Sequence, residues 1–334
     1  RDIAVKLKMN TLNSVIKEDL RKIKKEYGIP RRTEIREELE EIKVDTTRMI
    51  PKEQVVVVVT NEGYIKKVPQ RSYNTAKEEE TTLKENDYVT GLYNITTTDT
   101  LLLFTNLGNY LYLPVYDIPE VKWKELGKHI SNIISLSPEE KVINSIPVYN
   151  FDEERYITSF TKNGMVKRTL LNEFKVQRYS KPIKMMNLKG TDEVISVTDS
   201  TLSNVFIATS NGYGLWYDIN EVPVVGIKAA GVKAISLKDD YVVSGILFDV
   251  ASEYLTILTD KGTAKRMRLT ELEKTSRAKR GILLMKTIKS NPSKIIKAYI
   301  INSKNQIGIV SDDYSKIVKL TEISIMDRYS NGSY

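Results

Sequence analysis

Two kinds of hydrophobic pattern divide the chain. In the first fifty residues Ile16, Leu20, Ile23 and Tyr27 fall three or four apart, with Lys and Glu between them. That is the spacing of an amphipathic helix, and Gly28 and Pro30 stop it. Ile35, Leu39 and Ile42 mark a second short helix, with Glu34, Glu37, Glu38, Glu40 and Glu41 on its wet side. Neither helix has much apolar surface, so each is expected to pack on something else. It could cap the domain that follows or end a larger helical body.

After Pro51 the chain turns to short strands, and they repeat. Each unit has an apolar strand, a Thr or Ser, two polar or mixed residues, a Gly and a second strand. The six units are Val55–Val68, Leu101–Leu113, Tyr156–Arg168, Val205–Trp216, Tyr254–Arg266 and Gln306–Val318. The Gly (Gly63, Gly108, Gly164, Gly212, Gly262) stands where a three-residue hairpin loop needs a positive φ. Unit six has Tyr314 there. A tyrosine in that conformation costs roughly 1 kcal/mol, so that unit is expected to be degenerate or to use another turn.

Between the hairpins lies a second repeat, a polar turn leading into another strand: 83–89, 136–142, 188–194, 237–242 and 288–295. Counting the strand on each side of the turn gives about four strands per unit of roughly 50 residues. Six four-stranded units in even spacing predict an all-β, propeller-like ring preceded by short α-helices. Two stacked β-sandwich domains are the alternative. The expected boundary separates a helical tail, 1–50, from a β domain, 51–334.

Composition removes most chemistry. Of 334 residues none is Cys and one is His, so thiolate metal sites, disulfides and cysteine nucleophiles are excluded, and Ser-His-Asp chemistry is confined to His129. There is no phosphate-binding loop, and Gly212-Tyr-Gly214 lacks the third Gly of a dinucleotide fingerprint. The carboxylates are scattered through turns, and no pair stands out for acid–base work. No apolar run approaches a membrane span. His129, Trp123 and Trp216 are read as loop and packing residues.

Charge restores some specificity. There are 51 Lys+Arg against 43 Asp+Glu, a net of +8. The second hairpin strands of units one, three and five end basic, in Lys66-Lys67, Lys167-Arg168 and Lys265-Arg266. Units two and four end in Tyr110, Tyr112 and Tyr116, and in Tyr213, Trp216 and Tyr217, instead. The loops that follow add Arg71, Lys77, Lys128, Arg178, Lys181, Lys184, Lys228, Lys233, Arg277, Lys279, Arg280 and Lys286. Equivalent positions of a ring share one rim, so these residues are expected to form a curved positive belt. Acidic turns such as Asp87, Glu140, Asp192 and Asp240 would fall on another rim. Such a belt suits duplex DNA held through its phosphates with little sequence reading. A propeller for protein–protein contact, anchored by the aromatic positions, is the alternative of another class.

The six hairpins with Gly63–Lys67 and Asn163–Arg168, the stretches Trp123–Ile130, Ala229–Lys233 and Arg277–Ile282, and the preceding Val15–Leu20 and Tyr27–Ile35 together have a likeness. The chain resembles the C-terminal domain of the A subunit of bacterial type IIA topoisomerases, over nearly its whole length. Gyrase members of that family carry a Gln-Arg-Arg-Gly-Gly-Lys-Gly box after the first hairpin. The matching stretch here is Gln70-Arg-Ser-Tyr-Asn-Thr-Ala-Lys77, without the consecutive glycines, which looks like the topoisomerase IV branch. The resemblance implies a six-bladed β-pinwheel with strands exchanged between blades, and a non-catalytic domain that binds and bends duplex DNA. It makes residues 1–50 the tail of the breakage-reunion core. It implies no cofactor in this piece, with ATP and Mg²⁺ belonging to the intact enzyme. The implied partners are duplex DNA, the B subunit, and the rest of the A subunit, with no membrane, for a monomeric fragment in the bacterial cytoplasm at the nucleoid. The phosphate contacts it implies are Lys66, Lys67, Arg71, Lys167, Arg168, Arg178, Lys181, Lys265, Arg266, Arg277, Lys279 and Arg280.

Overall fold

The helical spacing near the start gives α1 (Met9–Tyr27) in the computed structural model, which describes residues 9–30, 49–311 and 314–334. Lys24 and Lys25 sit in its last turn, where the helix dipole favours positive charge. Leu12, Ile16, Leu20, Ile23 and Tyr27 are all exposed. The second helix expected around Ile35–Ile42 lies outside the described residues. The chain divides into two units, Arg1–Thr46 and Thr47–Tyr334, and the second holds every strand among the described residues.

All six expected hairpins form. They are β1 (Gln54–Thr60) with β2 (Tyr64–Pro69), β4 (Thr100–Thr105) with β5 (Asn109–Pro114), and β8 (Tyr156–Thr161) with β9 (Met165–Leu170). The others are β12 (Asn204–Thr209) with β13 (Tyr213–Asp218), β16 (Tyr254–Thr259) with β17 (Ala264–Arg268), and β20 (Gln306–Ser311) with β21 (Tyr314–Lys319). In the first, Gly63 has φ +90 and its N–H returns to the Thr60 carbonyl at 3.0 Å. Ser311 pairs directly with Tyr314, so Tyr314 is a strand residue and avoids the strained conformation.

Each of the first five hairpins takes a longer strand from before the following hairpin onto its first strand: β3 (Val89–Thr96), β7 (Val142–Val148), β11 (Val194–Thr198), β15 (Val242–Phe248) and β19 (Ile295–Tyr299). A fourth strand arrives from beyond the following hairpin. Thus β6 (Lys128–His129) adds to β2, β10 (Ile183–Lys184) to β5, β14 (Val232–Lys233) to β9 and β18 (Ile282–Leu283) to β13. Four sheets have the expected four strands. The fifth has three, with two further bridges, Ser333 to Ala264 and Ile325 to Arg266, and the sixth has two. The shortfall follows from the exchange: among the described residues no seventh hairpin supplies the sixth sheet.

The inner strands are tied to one another in succession. The Tyr93 hydroxyl donates to the Ser145 carbonyl, Asn144 Nδ2 to the Val197 carbonyl, Ser196 to the Gly245 carbonyl, and Ala298 N–H to Ser244 Oγ. The exchanged segments therefore form the opposite, outer edge of each sheet. Both faces of the central strands are covered, because sheets pack face to face. Phe104, Tyr110, Ile157 and Phe174 join sheets two and three, and Phe206, Phe248, Leu255 and Ile257 join four and five. The run Val55–Val59 shows the consequence: all five valines are buried.

Sheet one ends the row differently. A short helix, α2 (Gln70–Ala76), and Trp123 cover its far face at Val56, Val58 and Val68. Tyr73 meets the Trp123 ring edge-on at 5.0 Å, and Trp123 Nε1 donates to the Glu79 carbonyl at 2.7 Å. On sheet six, by contrast, Ile317 is 69% exposed.

Candidate nucleic-acid interface

The repeat pattern puts the hairpin lysines on a solvent-facing belt, and the structure corrects this. Lys66, Lys167 and Lys265 are 2%, 1% and 2% exposed. Each occupies the same register position, opposite Val58, Ser159 and Ile257. From there each ammonium reaches along the sheet to the outer edge. Lys66 Nζ donates to the carbonyls of Trp123 and Glu125, both at 2.6 Å, and to Thr81 Oγ1 at 2.5 Å. Lys167 Nζ donates to the carbonyls of Met185 and Ile227. Lys265 Nζ shares its three protons among four carbonyls, those of Leu284, Asp327, Arg328 and Ser330, at 2.6–3.0 Å. Segments without enough strand to satisfy their own backbone are thus held by a buried charge, and charge-assisted bonds of this kind are the stronger class.

Two neighbours behave alike. Lys67 is buried and donates to the Tyr116 carbonyl at 2.9 Å, and Arg266 is buried with Nε on the Ile323 carbonyl at 2.8 Å. Arg168 is half-buried over the Tyr156 ring, 4.1 Å from its centroid. Arg277 is half-buried, with Nε on the Glu221 carbonyl at 2.9 Å and Nη1 on the Lys233 carbonyl at 2.5 Å. Lys66, Lys67, Lys167, Lys265 and Arg266 are buried with donors turned to carbonyls inside the protein; Arg277 has Nε and Nη1 on carbonyls, and Arg168 stacks on Tyr156. Phosphate contact is not available to the first five, because a donor held by buried carbonyls cannot also face a groove.

Burial pushes Lys66, Lys167 and Lys265 down to about 8, against a smaller upward pull from Glu125, Glu173, and Asp327 with Glu271 respectively. A folded pKa below the free value of 10.5 leaves the folded state with fewer bound protons between the two. Stability attributable to the group then rises as pH climbs through that interval. The unmodified chain is expected to gain stability relative to Lys265→Met when pH is raised from about 7.5 to about 9.5. Urea denaturation of both at each pH checks this, and a difference that stays flat would refute it.

The remaining expected contacts are exposed: Arg71 on α2, Arg178 and Lys181 before β10, and Lys279 and Arg280 before β18. Arg280 lies over the Tyr213 ring at 4.2 Å. Four of the five stand on exchanged segments, and their surroundings have one sign. Residues 175–184 hold Lys175, Arg178, Lys181 and Lys184; 224–233 hold Lys228 and Lys233; 274–282 hold Lys274, Arg277, Lys279 and Arg280. No Asp or Glu occurs in any of the three stretches. Lys274 is ion-paired to Asp218 at 2.7 Å; Lys175, Arg178, Lys181, Lys184, Lys228 and Lys279 are exposed with no ion pair among the described residues. The corresponding segments of sheets one and five are mixed, with Glu120 and Glu125 in one and Asp327 in the other. The belt therefore runs along the outer edge of sheets two to four.

The acidic turns have a structural task. Asp87, Asp192 and Asp240 accept from the N–H groups of Glu62, Asn163 and Asn211, joining each turn to its hairpin. The aromatic anchors of the alternative reading are mostly inside: Tyr110, Tyr112 and Tyr217 are buried. One signal for the buried lysines was present in the sequence. The same register position holds Leu111 and Leu215 in units two and four, and a position that accepts Leu in sister repeats faces a core.

Comparison with known proteins bears on this geometry. The family model described as DNA gyrase C-terminal domain, beta-propeller, matches residues 54–77, 99–148, 155–198, 203–248 and 253–302. The chain is 42% identical over 326 residues to the A subunit of DNA topoisomerase 4 from Bacillus subtilis (strain 168), covering 97% of this chain and 40% of that protein. It is 37% identical over 330 residues to the corresponding protein of Staphylococcus aureus (strain MRSA252), covering 97% and 41%. The chain thus spans about two-fifths of the length of the curated relatives it matches. A crystal structure of the C-terminal domain of DNA topoisomerase IV superposes with a TM-score of 0.83 at 42% identity, covering 86% of this chain and 90% of that one. A DNA gyrase A C-terminal domain superposes with a TM-score of 0.62 at 18% identity, covering 84% and 94%, and shares the fold.

Proposed function

The chain belongs to the DNA gyrase C-terminal domain family of β-propellers, and from that premise we propose that it is the DNA-bending part of the A subunit of a topoisomerase IV. Duplex DNA lies along the outer edge of sheets two to four. The exposed lysines and arginines there neutralise phosphates, and the curvature of the edge bends the duplex. Phosphates are the same on every sequence, so this mode carries little base specificity. In an intact enzyme such a domain would present DNA segments to a cleavage core for decatenation and relaxation. Strand cutting, ATP and Mg²⁺ would belong to other regions of that enzyme.

The observation that carries this reading is the run of three exchanged segments, each basic and free of Asp and Glu, at equivalent places in successive sheets. The higher identity to topoisomerase IV relatives and the missing glycines at Gln70–Lys77 favour that branch over gyrase-type wrapping.

A salt titration tests the reading. Affinity for a duplex of about 40 base pairs is expected to fall linearly in log–log form, by roughly 0.9 in slope per neutralised phosphate. Unrelated duplex sequences should give the same line. Absence of binding at low salt, or a strong preference for one sequence, would count against it.

A further inference from the structure

We propose that β21, the free outer edge of the sixth sheet, accepts an extended, acidic, glycine-containing segment of a partner protein, in the place that exchanged segments fill on the other sheets. The inference stands apart from the DNA reading, since it concerns a different edge and a different ligand.

The register defines the acceptor. Lys316 lies opposite Ile309, the position that Lys66, Lys167 and Lys265 hold in sheets one, three and five. Those three ammonium groups are buried on the carbonyls of incoming segments. Lys316 is exposed, and no hydrogen bond or ion pair reaches it among the described residues. Ser315 and Ile317 correspond in the same way to Ala264 and Arg266. Ala264 exchanges two backbone bonds with Ser333, at 2.8 and 3.0 Å. Arg266 takes one from Met326 and gives one to Ser324, at 2.8 and 2.9 Å. By this equivalence the N–H and C=O groups of Ser315 and Ile317 point outward, at an edge with no strand beside it among the described residues. The sixth sheet therefore has the latch lysine and the backbone ladder but, among the described residues, nothing for them to hold.

The filled sites specify the occupant. Gly127, Gly231, Gly281 and Gly332 each stand just before the residue that pairs, with φ between +83 and +88. A Cβ there would lie 2.2–2.8 Å from a carbonyl oxygen of the acceptor strand (Ile65, Val166, Gly214 or Ala264). Four of the five incoming segments thus have glycine at their closest approach, and the fifth, on sheet two, has Pro182 before Ile183. The chain's own candidate is the stretch after the first hairpin, by the order of the exchange. No glycine occurs between Gly63 and Gly91, and that stretch starts as α2 on sheet one. The other exchanged segments are already in use, in this chain and equally in a second copy. The occupant therefore comes from outside these residues. Lys316 and Lys319 are the charged residues of β21, so an acidic segment complements it. Addition of a strand to an open edge is a recurrent mode of peptide recognition.

The probe is a fluorescent synthetic peptide with the sequence of residues 224–235 carrying Lys228→Glu and Lys233→Glu, titrated with the full chain by anisotropy. Saturable binding is expected. It should weaken about tenfold or more with Ile317→Pro, which removes one outward N–H at an edge where proline is tolerated. Lys316→Gln in the protein, or Gly231→Val in the peptide, should weaken it too. No saturation, or equal affinity for the Ile317→Pro chain, would overturn the proposal. So would self-association of the unmodified chain that Ile317→Pro abolishes, since that would seat a second copy on the edge.

Discussion

A chain carrying Arg178→Gln, Lys181→Gln, Lys279→Gln and Arg280→Gln together is expected to lose most of its hold on duplex DNA while keeping its fold. Each of these side chains is exposed and stands on an exchanged segment of sheet two or four. If each neutralises one phosphate, the slope of log affinity against log salt falls by about 3.6, and affinity at 150 mM salt drops about a hundredfold or more. The loss should be equal on unrelated sequences, because no base edge is involved. Stability should change little. Arg280 gives up a stacking contact on Tyr213, a partly exposed interaction of about 0.5–1 kcal/mol. The same four positions therefore separate binding from folding. An unchanged salt slope in a folded quadruple variant would place the DNA elsewhere or remove it altogether.

The buried lysines predict the opposite pattern. Lys265→Ala is expected to destabilise the domain by roughly 3 kcal/mol, because one truncation leaves the carbonyls of Leu284, Asp327, Arg328 and Ser330 without their shared donor. The lesion should be local before it is global. Residues 325–333 are held to β17 by few backbone bonds, so their amides should lose exchange protection first. Urea denaturation gives the total, and hydrogen exchange gives the place. Lys181→Ala, on the exposed belt, should stay within about 0.5 kcal/mol of the unmodified chain. If Lys265→Ala proved equally harmless, water would have to satisfy those carbonyls, and the latch would lose its energetic meaning.

Lys181 and Lys265 are indistinguishable by charge, and both follow a hairpin glycine in the repeat. What separates them is that Lys265 stands on a hairpin strand whose outer side is bridged by residues 325–333. In a lone half-exposed sheet, alternate residues of such a strand face water. Here the next sheet covers the second face, so Lys66, Lys167 and Lys265 enter the interior with their charge. The run Val55–Val59 held the warning, since a strand apolar at every position is covered on both sides. Leu111 and Leu215 repeated it at the lysine position itself. Neither signal shows what the ammonium groups bind, because their partners are carbonyls some 18 to 65 residues away along the chain.

The hairpins, their turns and their number came from local chemistry: Thr60 and Gly63, and their counterparts, encode a loop that a few residues can specify. α1 likewise was legible in the spacing of Ile16, Leu20, Ile23 and Tyr27. The family likeness was also legible, because it rests on short motifs in a fixed order. Strand exchange could not be read from the pattern of any single unit. A two-residue strand such as Lys128–His129 has no periodicity to detect, and its pairing with β2 exists because the second hairpin brings the chain back past the first sheet. The same long-range path decides which basic residues face outward. Sequence determined the repeating parts and the sign of their charge. Tertiary structure alone decided where each charge points, because burial depends on the neighbouring sheet and not on the strand that carries the residue.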